Sequence, residues 1–447
     1  MTRSALSWSD LRGRRVGVWG LGREGMANVR KLGSLEASLV LVDDRPGPVG
    51  VDGMPVLPTE AGGIEALASC DAVVKTPGIS RYRPEVARLE QLGVPVTGGL
   101  GLWFQEARAD RVVCVTGTKG KSSVVSIAGH LMTGLGYRCM VGGNIGQPPY
   151  DPATEAEPWD YWVIEVSSYQ AMDLASSPPV VGVTSLHPDH VPWHGGVENY
   201  FRDKLSLCSQ PGADLTIANG DSDLIRERSG LLGPRVEWVY AADEPGATWM
   251  RPLGLLGEHN RRNALIARRC LMALGIREAG DDAAMDKAAH GYEPLPSRLQ
   301  IIGDIHGVTF VDDSLSTNVL PTVAALEAFD DRRVALIVGG QDRGIDYTPL
   351  AVALHQRSVP TYLLTLPESG PRIHADVEAA KRDAGRHVSA LAGATDCPDL
   401  AAAVAAGYRW AQPDGIVLLS PAAPSFGAFK DYRDRAEAFA RAVRALA

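Results

Sequence analysis

Thr116-Gly117-Thr118-Lys119-Gly120-Lys121-Ser122-Ser123 follows the apolar run Arg111-Val-Val-Cys-Val115 and leads into a helical stretch at 124–135. A strand that enters a glycine loop and leaves it as a helix turns backbone N–H groups toward phosphate. Lys121 adds charge there, and Ser122 supplies a hydroxyl suited to magnesium. The loop is not a strict Walker A pattern, whose first glycine would fall at Val115. Strand, paired glycines and helix in this order nevertheless predict an ATP site made of Thr116, Gly117, Thr118, Lys119, Gly120, Lys121, Ser122 and Ser123.

Working outward, an α/β pattern surrounds this loop on both sides. Upstream, Arg15-Val-Gly-Val-Trp reads as a strand, Gly20-Leu-Gly22-Arg-Glu-Gly25 as a turn and 24–35 as a helix. Strands at 38–42 and 72–75 follow, the first ending on Asp43 and Asp44 and the second at Thr76-Pro-Gly78. Glycines after a strand, with acids about twenty residues on, let a backbone approach a diphosphate at a helix N-terminus. On these residues alone the ligand is either a dinucleotide, as in a NAD-dependent oxidoreductase, or a diphosphate-sugar. A simple dehydrogenase has no use for the second phosphate loop. Two phosphate sites in succession suggest that one nucleotide is carried on the substrate and the other is consumed.

Downstream, strands are expected at 162–166 and 180–184, and Pro294-Leu-Pro296 marks a linker. The pattern restarts at Leu299, with strands at 308–311, 333–338 and 416–419 and a helix at 401–410. Three α/β domains result, at 1–108, 109–296 and 297–447. A length of 447 residues, 45% hydrophobic and 22% charged, suits such a multidomain enzyme. The net charge of −9 argues against nonspecific nucleic-acid binding. Six scattered cysteines without a C-x-x-C pair read as buried thiols. With neither a signal-like N-terminus nor about 18 successive apolar residues, a cytoplasmic protein with no membrane partner is expected.

Several side chains carry more than one reading. Glu165, in Ile164-Glu-Val-Ser-Ser-Tyr-Gln170, suits a metal ligand or a helix-capping contact. His187, His190 and His194 compete for any metal role. Lys204, beside Leu205 and Leu207, reads as a solvated lysine on an amphipathic helix.

The motifs Thr116–Ser123, Gly142-Gly-Asn-Ile-Gly146, 164–170, Asp189-His190 and Lys204 stand in one order along the chain. Gly257-Glu-His-Asn-Arg-Arg-Asn263, Pro296-Ser-Arg298, Asp313-Ser-Leu-Ser-Thr-Asn318 and Leu419-Ser-Pro-Ala-Ala-Pro-Ser425 continue it. Together they resemble the Mur ligase family over essentially the whole chain. The resemblance implies a Rossmann-like N-terminal domain, a central P-loop ATPase domain and a C-terminal Rossmann-like domain. The N-terminal fingerprint, Thr76-Pro-Gly78-Ile and the Ser-Pro-Ala run are most similar to the family's glutamate-adding branch. That branch joins glutamate to UDP-N-acetylmuramoyl-L-alanine through an acyl phosphate made with ATP, in peptidoglycan precursor synthesis. A noncatalytic sensor of the same ligand would be expected to lack a magnesium or phosphate ligand, whereas all are present here.

The resemblance also assigns roles. Lys121 would hold the β- and γ-phosphates, Ser122 and Glu165 one magnesium, and His190 a second, assisted by Lys204 carbamylated with CO2. Asn260 and Asn263 would lie on the adenine or ribose side, and Arg298 and Asp313 would bring the C-terminal domain to ATP by domain closure. Gly20, Leu21, Arg23, Glu24, Asp43, Arg45 and Gly78 would bind the UDP end, with Asn144 nearer the reacting groups. The commonest pattern has a small residue where Arg23 or Glu24 stands. Thr317, Arg343, Ser425 and Tyr432 match glutamate contacts. Relatives that add D-glutamate carry lysines where this chain has Leu315 and Arg343, and an arginine clamps a carboxylate differently. The motifs look like the branch that adds L-glutamate, whose product a separate epimerase would invert.

Overall fold

The computed structural model describes residues 5–47, 50–383 and 389–446. Among them, three sheets form, each from short apolar strands alternating with helices. The first orders Val56–Pro58, Ser38–Asp43, Arg15–Trp19, Ala72–Lys75 and Val96–Gly98, all parallel. The second orders Arg235–Val239, Leu215–Asn219, Val180–Val183, Val112–Thr116, Tyr161–Glu165 and Cys139–Gly143, again all parallel. Val112–Thr116 lies mid-sheet and is buried throughout, which is why it reads as a continuous run rich in valine rather than an alternating one.

The third sheet orders Gln300–Ile305, Val308–Asp312, Ile416–Leu419, Val334–Val338, Thr361–Thr365 and Leu391–Asp396. Its edge strand Gln300–Ile305 pairs antiparallel to Val308–Asp312 through the turn at Gly307, while the other pairs are parallel. The chain clusters into two compact units, residues 1–253 with 262–292, and 254–261 with 293–447. The first two sheets therefore share a unit.

Within the first unit, the N-terminal and central sheets are joined by a buried ion network. Lys75 Nζ lies 2.5 Å and Arg81 Nε 2.8 Å from the carboxylate of Asp173, with all three side chains almost fully buried. Removing one partner from such a network strands a buried charge and costs about 3–5 kcal/mol. Arg30–Asp151 and Lys31–Glu155 pairs add peripheral contacts.

Two boundaries shift in a way that bears on the site. The helix expected from 124 is Lys121–Gly134, so Lys121 and Ser122 occupy its first turn. The strand at 38–42 extends to Asp43, which holds that carboxylate at the sheet's end. All six cysteines are free, and five are buried. No helix of the described residues is long and apolar enough to cross a membrane.

Candidate active site

The glycine loop at 116–123 is shaped by two left-handed glycines, Gly117 at φ 136° and Gly120 at φ 88°. A Cβ at Gly117 would lie 2.1 Å from Thr184 Oγ1, so a larger residue is excluded by contact as well as by φ. The strand end at Thr184 and Ser185 buttresses the loop: the N–H of Thr118 donates to Ser185 O at 2.8 Å and that of Lys119 to Ser185 Oγ at 2.8 Å. Thr118 Oγ1 lies 2.8 Å from the Tyr200 phenol and 3.0 Å from His187 O. The Thr118 side chain is thus committed to holding the loop. Lys121 Nζ donates to Thr118 O at 3.1 Å, and Asn263 abuts Gly120.

Lys204 departs from the solvated-lysine reading. It is 3% exposed on the helix Val197–Leu205, donates to Gly117 O at 2.9 Å and sits 5.1 Å from the Tyr200 ring. Burial, reinforced by the Lys121 charge and opposed by Asp189, pushes its ammonium well below the usual lysine range. A lowered pKa shifts a lysine toward the neutral amine, which is the nucleophilic form.

Glu165 ends the strand Tyr161–Glu165 and is 1% exposed. Oε1 accepts from Asn144 Nδ2 at 2.7 Å, and Oε2 is buried with no partner. An orphaned carboxylate oxygen beside a phosphate loop fits a divalent cation, since leaving it without a donor is costly. The capping reading of this segment belongs to its neighbour, for Ser167 and Gln170 form a capping box on the helix Ser168–Ala171.

His190 is left-handed (φ 51°) and half-exposed, with Asp189 alongside. Burial, only partly offset by the Asp189 charge, lowers its pKa, so the imidazole is neutral and has a lone pair for a metal. His187 is likewise lowered, by burial and Lys119. His194 instead spends both nitrogens on protein, at Asp203 and Ser168. Glu165, Lys119, Lys121, Asp189, His190 and Lys204 thus share one electrostatic neighbourhood. No group of three or more His, Cys, Asp or Glu side chains among the described residues forms a ready metal cage.

The N-terminal glycine turn borders this neighbourhood. Leu21 N–H donates to Asp43 Oδ2 at 2.7 Å and Arg45 N–H to Asp43 Oδ1 at 2.8 Å. Arg23 reaches Asn144 O at 2.9 Å, and Glu24 accepts from Gln170 Nε2 at 2.9 Å. Gly78 O accepts from Trp193 Nε1 at 3.2 Å, which ties the loop after the strand Ala72–Lys75 to the turn that carries His190. Gly20, at φ 90°, lies against Thr76.

In the second unit, Asp313 is buried and accepts from the hydroxyls of Ser316 at 2.5 Å and Ser420 at 2.7 Å and from Leu299 N–H at 3.3 Å. Burial pushes it up to about 7 despite those bonds. Asn260 Nδ2 donates to Leu256 O, and Arg298 begins the chain's return into the sheet. Leu315 and Thr317 follow on the same loop, joined by a Thr317 N–H to Leu315 O bond. Arg343 donates through Nε to Gln341 Oε1 at 3.0 Å and lies 5.9 Å from the Phe426 ring, which is 50% exposed. Arg372 braces that loop from behind through a two-bond contact with Asp342. Ser425 is buried, and Tyr432 opens the helix Tyr432–Arg444 capped by Asp431.

One residue that the sequence gave no reason to single out organises these loops. Arg435 is fully buried and donates to Ser314 O at 2.8 Å and Ala423 O at 3.1 Å. Gly340 comes so close that a Cβ there would lie 3.1 Å from Arg435 Nη1. The loops bearing Thr317, Arg343 and Ser425 therefore converge on one guanidinium. Asp203, the partner of His194, was missed as well. A helical position facing the core was the available signal for Asp203, and its acidic side chain masked it.

Three family models match in succession: the Mur ligase MurD-like N-terminal domain at 14–98, the Mur ligase middle domain at 115–252 and the Mur ligase glutamate ligase domain at 297–423. A protein of Micromonospora sp. named UDP-N-acetylmuramoyl-L-alanine--L-glutamate ligase is 39% identical, with 98% of each chain covered. One of the same name from Xanthomonas euvesicatoria is 38% identical, covering 97% of this chain and 96% of that one. Among solved structures, the UDP-N-acetylmuramate-alanine ligase MurC of Thermotoga maritima superposes with a TM-score of 0.55 at 17% identity, over 97% of this chain and 100% of that one. The MurF ligase of the same organism in complex with ADP gives 0.53 at 15%, over 100% and 99%. Those two share the fold. The glycine turn that alone admitted an oxidoreductase is thus the first part of a full-length match, and the chain belongs to the Mur ligase family.

Proposed function

We propose that this protein is an ATP-dependent ligase that joins L-glutamate to UDP-N-acetylmuramoyl-L-alanine in peptidoglycan precursor synthesis. The observation that carries the reading is the convergence of Lys121, the buried Lys204 and the partnerless Glu165 Oε2 on one phosphate loop. A carboxylate oxygen is a poor leaving group, so ATP must first make the acyl phosphate that the glutamate amine attacks, expelling phosphate. Such phosphoryl transfer depends on positioning and charge neutralisation, the work assigned here to Lys121.

Ser122, Glu165 and His190 would hold magnesium, which when bound would neutralise developing phosphate charge. Lys204 would join them as a carbamate: its neutral amine forms an N–C bond to CO2 and releases a proton, turning a cation into an oxygen donor. The lowered lysine pKa and the nearby Lys121 charge both support that change. Gly20, Leu21, Arg23, Glu24, Asp43, Arg45 and Gly78 would take the UDP end, and Asn144 the reacting end. Asn260, Asn263, Arg298 and Asp313 would serve the rest of ATP, and the three domains would fall at 1–108, 109–296 and 297–447.

L-glutamate is favoured over its mirror image by Arg343. Its Nη atoms are left over after the bond to Gln341, and Leu315 offers no charge on the other loop. Thr317, Ser425 and Tyr432 would complete the contacts, and a separate epimerase would act on the product. Phosphate release with ATP, magnesium, UDP-N-acetylmuramoyl-L-alanine and each pure glutamate isomer tests this. A kcat/KM for L-glutamate at least about tenfold above that for D-glutamate is expected, a difference of about 1.4 kcal/mol. The reverse preference would remove the stereochemical assignment, and no release with either isomer would remove the ligase reading.

A further inference from the structure

His194 is completely buried and hydrogen-bonds in two directions. Nδ1 lies 2.6 Å from Asp203 Oδ2 and Nε2 lies 3.0 Å from Ser168 Oγ. A carboxylate accepts, so Nδ1 donates to Asp203, and Nε2 shares the hydrogen bond with the Ser168 hydroxyl. The Asp203 carboxylate accepts a second time, from the Tyr82 phenol at 3.1 and 3.2 Å. A continuous chain of bonds therefore runs from Tyr82 in the N-terminal sheet domain through Asp203 and His194 to Ser168.

Beyond Tyr82, the three segments that this chain touches each bear a group proposed above for the cation site. Ser168 opens its helix three residues after Glu165, and Asp203 immediately precedes Lys204. His194 ends the four-residue helix Val191–His194, which His190 precedes and Gly195 follows, both in left-handed backbone conformations. So short a turn has little stiffness of its own. Its buried anchor is the His194 ring, packed 4.5 Å from Trp193 and 5.6 Å from Tyr169.

We propose that His194 is a positioning residue whose two ring nitrogens hold the Glu165 segment, the His190 turn and the Lys204 helix at the spacing that binds a divalent cation. This rests on the reading that those three residues serve one cation site. The order serine, histidine, aspartate also resembles a nucleophilic triad, but Ser168 is 4% exposed, which leaves no approach for an acyl group.

The test uses the full chain with a nonhydrolysable ATP analogue and Mn2+, whose binding is followed by electron paramagnetic resonance, together with kcat and KM under Mg2+. His194→Gln removes the bond to Asp203, and Asp203→Asn keeps the shape while weakening it. His194→Gln is expected to weaken Mn2+ binding and to lower kcat by about tenfold or more, as loss of a group supporting metal ligands does. KM for the UDP-substrate should move less than about twofold, and Asp203→Asn should lie between wild type and His194→Gln. Should His194→Gln fail to fold by circular dichroism, Asp203→Asn alone decides, with Mn2+ binding weakened about threefold or more expected. Unchanged Mn2+ affinity in a folded variant overturns the proposal and leaves His194 a core histidine. A wild type that binds Mn2+ in a His194-dependent way yet releases no phosphate would sink the ligase reading while sustaining this one. A wild type that binds no Mn2+ with nucleotide overturns both.

Discussion

Two turns in the first unit share a backbone plan and differ in charge. Arg15–Trp19 passes through Gly20, at φ 90°, into Arg23–Ser34; Val112–Thr116 passes through Gly117 and Gly120 into Lys121–Gly134. Around the first stand Asp43, which takes the Leu21 and Arg45 N–H groups, and Glu24. Around the second stand Lys119, Lys121 and Lys204. A helix N-terminus attracts anions in general, with an effect of well under one elementary charge. The flanking side chains decide whether that end suits a triphosphate under attack or a diphosphate that is merely carried. The first turn sets Arg23 and Arg45 among its carboxylates and so mixes signs, whereas the lysine turn fits a ligand whose charge must be neutralised.

The strongest way to break this comparison is Lys121→Ala. It should lower ATP-dependent phosphate release by about 100-fold or more, the usual scale for losing one charge-stabilising donor. The dissociation constant for the UDP-substrate, measured by calorimetry, should stay within about twofold. A matching loss in both quantities would mean that the turns do not divide the labour.

Gly25→Ala probes the first turn by shape alone. A Cβ at Gly25 would lie 2.0 Å from Gly20 O, so helix and strand must part. Urea denaturation should show a destabilisation of about 1–3 kcal/mol, typical of overpacking, with weaker UDP-substrate binding. Full stability would show that the turn is slack enough to move.

The smallest effect is expected from Glu24→Gln. Burial pushes Glu24 up to about 7, tempered by the Gln170 bond and by Arg23 and Lys75, and raised further by Asp173. The buried Tyr150 phenol faces it too. Below that pH the group is neutral, and above it the carboxylate faces the turn proposed to meet a diphosphate. KM for the UDP-substrate should therefore rise about threefold or more between about pH 6 and about pH 8.5 in wild type, and stay flat in Glu24→Gln. Equal slopes would detach Glu24 from that ligand.

What the sequence disclosed follows the range of the interactions concerned. Val112–Thr116, Ala72–Lys75 and Ile416–Leu419 were readable because strand periodicity and glycine breaks are local. Val96–Gly98 and Cys139–Gly143 were not, since short, glycine-bearing strands gain their place from neighbours far along the chain. The glycine loop between Val112–Thr116 and the next helix was readable for the same local reason, although the helix begins at Lys121, three residues before the expected start. The burial of Lys204 was not legible locally: its neighbours Arg202 and Asp203 suggest a wet helix face, whereas Tyr200, Asp203 and Lys204 are all turned inward. His194 stood among three equivalent histidines until its partners, 9 and 26 residues away, separated it from the others.

Arg435 gives the loops proposed to meet the amino acid a division between frame and lettering. The guanidinium binds main-chain carbonyls of Ser314 and Ala423 and crowds the backbone of Gly340, so it grips the loops without reference to the side chains they display. Residues such as Leu315, Arg343 and Phe426 can then be exchanged while the scaffold that presents them stays put. A lineage, or an engineer, could respell the choice of amino acid one position at a time without having to solve the folding problem again.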